Sequence, residues 1–135
     1  LLALRRFYEN ALEELTRNPH ARNAVEISLL HCELADETRP ILSREQGSAA
    51  QTVARVTEAL TQAKRLKQLR PHLDPGHCGM TLHCCIVGLL REWLLKPDAI
   101  SLQHDGMAMI DTLLSGFASE LATAPPRRST AAHAG

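Results

Sequence analysis

The stretch GLLREWLLKPDAISLQHDGMAMI, Gly88 to Ile110, decides how this chain is read. Two apolar segments at helical spacing meet at Lys96-Pro97-Asp98, and the single tryptophan, Trp93, stands just before the turn. Proline cannot continue a helix, so Pro97 closes the first segment, and the hydroxyl of Ser101 can cap the second. Working backward, Asp74-Pro75 is a capping residue followed by proline at the first helical position, where its missing N–H costs nothing. A helix from there to Lys96 would run roughly 30 Å. Its inner positions form two stripes: Leu82, Ile86, Leu89 and Trp93, then Met80, His83, Val87, Leu90 and Leu94. A helix in a small bundle needs one apolar stripe, and a second stripe demands another partner.

The remaining segments also read as helices, and no strand pattern or internal repeat is seen. Leu1, Leu4, Tyr8, Ala11, Leu12 and Leu15 recur at helical spacing, and that helix ends near Arg17. Asn18-Pro19 opens a second helix to about Ala35, again apolar on two faces, with Val25, Ser28, Leu29 and Cys32 on one and Ile27, Leu30 and Leu34 on the other. Thr38 and Pro40 restart the chain into a third helix reaching about Leu69, with the stripe Ala49, Thr52, Val53, Val56, Leu60 and Ala63. Gly47 weakens its first half by about 1 kcal/mol. The fifth helix carries Ile110, Leu113, Leu114, Phe117 and Leu121. The tail, residues 123–135, with Pro125, Pro126 and small polar residues, is expected to be disordered, leaving 1–122 as one all-α domain.

Composition narrows the function classes. Formal net charge is 0 at pH 7 and aromatics make up 3%, so neither a basic groove-reading patch nor a base-stacking platform is present. Lys64, Arg65, Lys67 and Arg70 cluster, but at a helix C-terminus, where cations suit the negative end of the macrodipole. No run of about 18 apolar residues is uninterrupted, so a membrane span is not expected. The chain opens Leu1-Leu2-Ala3-Leu4, without an initiator methionine or a signal-peptide pattern, as if inside a helix. Further sequence upstream is therefore expected. Four cysteines, Cys32, Cys78, Cys84 and Cys85, fit reduced cytoplasmic thiols better than a disulfide framework.

No G-x-S-x-G, phosphate loop or H-E-x-x-H motif occurs, so catalysis is not expected, and neither is a cofactor. Glu26 and Glu33 share a helix face, which a solvated surface or cavity rim explains. His31-Cys32, His77-Cys78 and His83-Cys84-Cys85 raise the alternative of a dimeric metal or thiol-redox sensor. Paired ligands at C-x₂₋₄-C spacing are missing, however, and cysteine packs well as a small hydrophobe. No metal is therefore expected. The spare stripe is best met by a second copy, through an isologous interface of the last two helices.

The turn GLLREWLLKPDAISL, LLHCEL on the second helix and AKRLKQL ending the third together resemble the TetR family of transcriptional regulators. The likeness is to its AcrR-like branch, repressors of multidrug efflux operons, and covers Leu1 to about Leu121. The family usually has an aromatic where Leu34 stands. The resemblance implies a five-helix, C-terminal ligand-binding and dimerisation domain that lacks the N-terminal helix-turn-helix domain. Its last two long helices would pair with those of a second copy as a four-helix bundle. The interface implied is Gly88, Trp93, Ile110, Leu113, Phe117 and Leu121. The pocket implied is lined by Val25, Leu29, Ala49, Thr52, Val56, His83, Ile86, Val87 and Leu90, with Thr52 and His83 to orient a guest. Such a lining suits a lipophilic inducer held by burial, at about 25 cal/mol per Å². Inducer binding would relieve binding of operator DNA by the missing domain.

Overall fold

The computed structural model describes residues 1–31 and 39–123, with side chains described for residues 1–30 and 47–122. Five helices carry the architecture: α1 (Leu2–Arg17), α2 (Pro19–Glu26), α3 (Arg39–Arg65), α4 (Pro75–Leu95) and α5 (Met107–Phe117). A short α6 (Glu120–Thr123) follows, and π-helical turns occupy Ile27–His31 and Leu102–Gly106. The described residues form no strand, only an isolated antiparallel bridge between Leu69 and Ala118.

The helix starts obey their caps. The side-chain oxygen of Asn18 accepts from His20 N at 3.0 Å and Ala21 N at 3.4 Å, with Pro19 in the first turn. Replacing Asn18 by alanine is expected to lower stability by about 1 kcal/mol in a denaturant melt, because those two amides lose their acceptor. At α4, Asp74 Oδ2 accepts from His77 N at 2.9 Å. Ser101 and Asp105 cap each other: Ser101 Oγ accepts from His104 N at 3.1 Å, and Ser101 N donates to Asp105 Oδ2 at 2.9 Å. That backbone hydrogen bond, with His104 alongside, holds the Asp105 carboxyl below its ordinary range.

The ends differ from the sequence expectation at α3 and α5. α3 stops at Arg65 rather than Leu69, because the chain turns through a Schellman closure. Gln68 N donates to Ala63 O at 2.8 Å and Lys67 N to Lys64 O at 3.0 Å, with Lys67 in the left-handed region at φ 58°. α5 stops at Phe117 because its end is drawn into the bridge. Arg70 N donates to Phe117 O at 2.9 Å, Ser119 N to Gln68 O at 2.8 Å, and Ser119 Oγ to Lys67 O at 2.5 Å. The basic cluster there is occupied with carbonyls: Lys64 Nζ reaches Leu73 O at 2.9 Å, and Arg70 Nε reaches Ala118 O at 3.2 Å. The second helix also differs, turning from α to π geometry at Ile27, and its expected continuation through Cys32 and Leu34 lies outside the described residues.

The core lies between α1, α3, α4 and α5. Leu12, Leu60, Leu69, Leu82 and Ile110 are sealed, and Leu4, Tyr8, Val56, Leu89, Trp93, Leu102, Leu114 and Phe117 complete the cluster. α4 packs on α3, α5 and both π-turns, and α1 packs on α2 and α5. Two glycines mark close approaches: a Cβ at Gly79 would fall 2.5 Å from Thr57 Oγ1, and one at Gly106 would fall 3.0 Å from Leu12 and 3.1 Å from Leu89. Arg5 ties α1 to α5 with a bidentate pair to Asp111, Nε–Oδ1 2.6 Å and Nη2–Oδ2 3.1 Å. By length and composition α4 could cross a membrane, a reading that a search for unbroken apolar runs misses. Its inner face is occupied by this core.

Candidate ligand pocket and subunit face

The residues expected to line a pocket are distributed over four elements that meet. The π-turn Ile27–His31 continues α2 and packs on both α3 and α4. Val56 on α3 and Leu90 on α4 are buried, 3% and 9% exposed. Val25, Leu29 and Ile86 are partly buried and packed against the same cluster. His83, Val87 and Ala49 are also half-buried. Thr52 departs from the expectation: it is exposed, and its hydroxyl donates to Ser48 O at 3.1 Å, one turn back in its own helix. A threonine hydroxyl engaged with the preceding carbonyl does not orient a guest. Val56 also lines an open, largely apolar groove of about 300 Å³ with Ala3, Leu4, Phe7, Arg55 and Ala59.

α2 is held over the end of α4 by one contact between unlike side chains. The guanidinium of Arg22 stacks above the Trp93 ring, 4.7 Å from its centroid. Trp93 itself is 6% exposed, so its ring is core and its open face is covered by Arg22. A tryptophan on an apolar stripe reads as spare surface until α2 is placed over it.

That placement bears on the expected subunit face. Trp93, Ile110 and Phe117 are 6%, 0% and 9% exposed within a single chain, so the stripe they belong to is satisfied internally. Leu121 is exposed but sits on α6, beyond the break at Ala118, not on α5. Leu113 is half-buried against the core, and Gly88 is exposed. The unsatisfied stripe of α4 is on the opposite side, where Met80, Cys84, Gly88 and Leu95 follow one another at helical spacing and all are exposed. On α5 the exposed counterparts are Met109, Thr112 and Gly116. A Cβ built at Gly88 or at Gly116 meets nothing within 4 Å. On α4 and α5 the glycines were the available signal: Gly88 and Gly116 on exposed faces, costing about 1 kcal/mol each in propensity, suit a close neighbour, although Gly47 on α3 is equally exposed.

The described thiols and imidazoles form no centre. Among the described residues no group of three or more His, Cys, Asp or Glu is placed to hold a metal. Burial, then the charge of Asp74, pushes the Cys78 thiol up, and burial does the same to Cys85, which keeps both as unreactive thiols. Cys32, the His31 side chain and Glu33 lie outside the described residues.

Comparisons with known proteins agree with this fold. Residues 1–119 match the family described as MAATS-type transcriptional repressor, C-terminal region. The HTH-type transcriptional regulator TtgR of Pseudomonas putida is 29% identical over 109 residues, which cover 81% of this chain and 52% of TtgR. This chain therefore spans about half the length of that curated relative. The fold is similar to that of SmeT, the repressor of the Stenotrophomonas maltophilia multidrug efflux pump SmeDEF. The TM-score is 0.77 at 25% identity, over 90% of this chain and 66% of that one. A SmeT–triclosan complex matches with TM-score 0.78 at 26% identity, over 90% and 58%. NalD, the secondary repressor of the MexAB-OprM pump of Pseudomonas aeruginosa, shares the fold at TM-score 0.77 and 20% identity, over 87% and 61%. With α1 through α5 inside the matched span, the chain belongs to the TetR family of transcriptional regulators, as an AcrR-like C-terminal region of the MAATS type.

Proposed function

We propose that this domain senses a lipophilic small molecule and dimerises, in a cytoplasmic, non-enzymatic repressor of a multidrug efflux operon. The observation that carries the reading is the packing of Val25, Leu29 and Ile86 against the core cluster that holds Val56 and Leu90, in a chain matching repressor C-terminal regions over residues 1–119. SmeT, similar in fold, forms a complex with triclosan, and a mostly aliphatic lining suits an apolar compound of that kind. A guest there is held by burial, and the DNA-reading domain of the whole protein responds through α1 and α4. Its operator affinity changes by no more than the guest's differential affinity for two arrangements of the domain. The second copy docks on the Met80, Cys84, Gly88 and Leu95 face of α4 and on α5 at Met109, Thr112 and Gly116. The alternative of a metal or thiol sensor finds no support among the described residues.

Triclosan is expected to raise the melting temperature of the domain in proportion to the logarithm of its excess over Kd. Val87→Trp, whose side chain would fill the pocket from α4, is expected to weaken that binding at least about tenfold while leaving the ligand-free melting temperature unchanged. In a close-packed core the same enlargement would overpack and cost about 1–3 kcal/mol. A parent protein indifferent to triclosan, with a variant that melts early, would mean that these residues are ordinary core.

A further inference from the structure

The inward stripe of α1 is Leu4, Tyr8 and Leu12, and its middle member brings a hydroxyl into an otherwise aliphatic cluster. Tyr8 is 5% exposed. No hydrogen bond to its hydroxyl exists among the described residues, and the oxygen is not one of the fully sealed polar atoms, of which none lacks a partner. The small part of Tyr8 that stays accessible therefore includes its hydroxyl. The Phe7 ring meets the Tyr8 ring edge to face, with centroids 5.2 Å apart and an interplanar angle of 72°. Tyr8 belongs to the same core cluster as Val56, Leu82 and Leu90, and Val25, Leu29 and Ile86 pack against that cluster. A tyrosine on an apolar stripe buries its ring and keeps a polar tip, and a tip at the accessible edge of the cluster with no partner among the described residues is available to donate.

We propose that Tyr8 is the polar anchor of the pocket, its hydroxyl donating to a carbonyl or ether oxygen on an otherwise aromatic or aliphatic guest. This rests on the pocket assigned above and names the chemistry that the pocket selects. Thr52 is engaged within its own helix and so does not compete with Tyr8 for that role. Burial, and to a smaller extent the neighbouring Cys85, pushes the Tyr8 phenol up to about 12, so it remains protonated and able to donate at physiological pH.

The test uses the full chain and two probes of nearly equal shape, benzophenone with its carbonyl and diphenylmethane without it. The chain is expected to bind benzophenone about fivefold tighter than diphenylmethane by calorimetry, the worth of one net neutral hydrogen bond. In Tyr8→Phe the preference should vanish through loss of benzophenone affinity, with diphenylmethane affinity and melting temperature unchanged or raised. A folded Tyr8→Phe protein that keeps the preference overturns the anchor and leaves the pocket standing. A fall in melting temperature with the preference intact assigns the hydroxyl a structural role and overturns it equally. If the parent chain binds neither probe, the pocket fails and the anchor with it.

Discussion

Gly88→Leu is expected to convert a dimer of this domain into monomers that are themselves more stable. Within one chain a Cβ at Gly88 meets nothing within 4 Å, so the new side chain enters open space. Replacing glycine by leucine inside a helix is favourable by roughly 0.8–1 kcal/mol, so the monomer should gain. Across a two-fold axis the balance reverses. The glycine allows the backbones of two α4 helices to approach, and a leucine there separates them, once from each subunit. Overpacking of about 1–3 kcal/mol per site should raise the dimer dissociation constant by about a hundredfold or more in sedimentation experiments, with helical circular dichroism retained. Replacing Phe117 with Glu would not discriminate in this way, because Phe117 is 9% exposed inside one chain and a charge there unfolds the monomer. A Gly88→Leu protein that sediments as the parent dimer would move the interface off this face.

Gly79→Ala should be the costliest small substitution in α4. The added carbon would lie 2.5 Å from Thr57 Oγ1, with the Thr57 backbone behind it at 3.6 Å, so α3 and α4 would be forced apart along their main contact. An overpacked contact of this kind costs about 1–3 kcal/mol in a denaturant melt. The companion variant Thr57→Ala removes the colliding oxygen. In a double-mutant cycle the pair should recover most of the loss, giving a coupling energy of at least about 1 kcal/mol. Strictly additive costs would show that the helices relax apart freely and that Gly79 does not set their spacing. The pocket would report the same change, since Val56 and Leu82 flank this contact on α3 and α4.

The helices and their starts were legible from local chemistry alone. Asn18-Pro19, Asp74-Pro75 and Ser101 each combine a capping oxygen with a following turn that needs it, and each caps as read. Those interactions involve residues within four positions of one another, so the sequence by itself contains both partners. The family was legible for a related reason: the Trp93-to-Pro97 turn and the segments around it keep their order and spacing. Helix ends were less legible where a distant stretch of chain decided them. α5 stops at Phe117 because Gln68, Lys67 and Arg70, some fifty positions earlier, take up its last carbonyls and amides.

Which apolar stripe faces which neighbour was not in the sequence at all. On α4 two stripes of similar character were visible, one through Leu89 and Trp93 and one through Leu90 and Leu94, and the fold buries members of both, with Arg22 covering the Trp93 ring. A hydrophobic period states that a face must be buried, not by what. The same limit applies to polar groups inside those stripes. Thr52 and Tyr8 both read as members of apolar faces, and only the assembled structure shows one hydroxyl turned back on Ser48 and the other unpaired among the described residues of the core. Secondary structure and family follow from contacts within a few residues along the chain. Burial and the orientation of pocket and subunit faces depend on contacts between α1, α2, α3, α4 and α5, which tertiary packing alone determines.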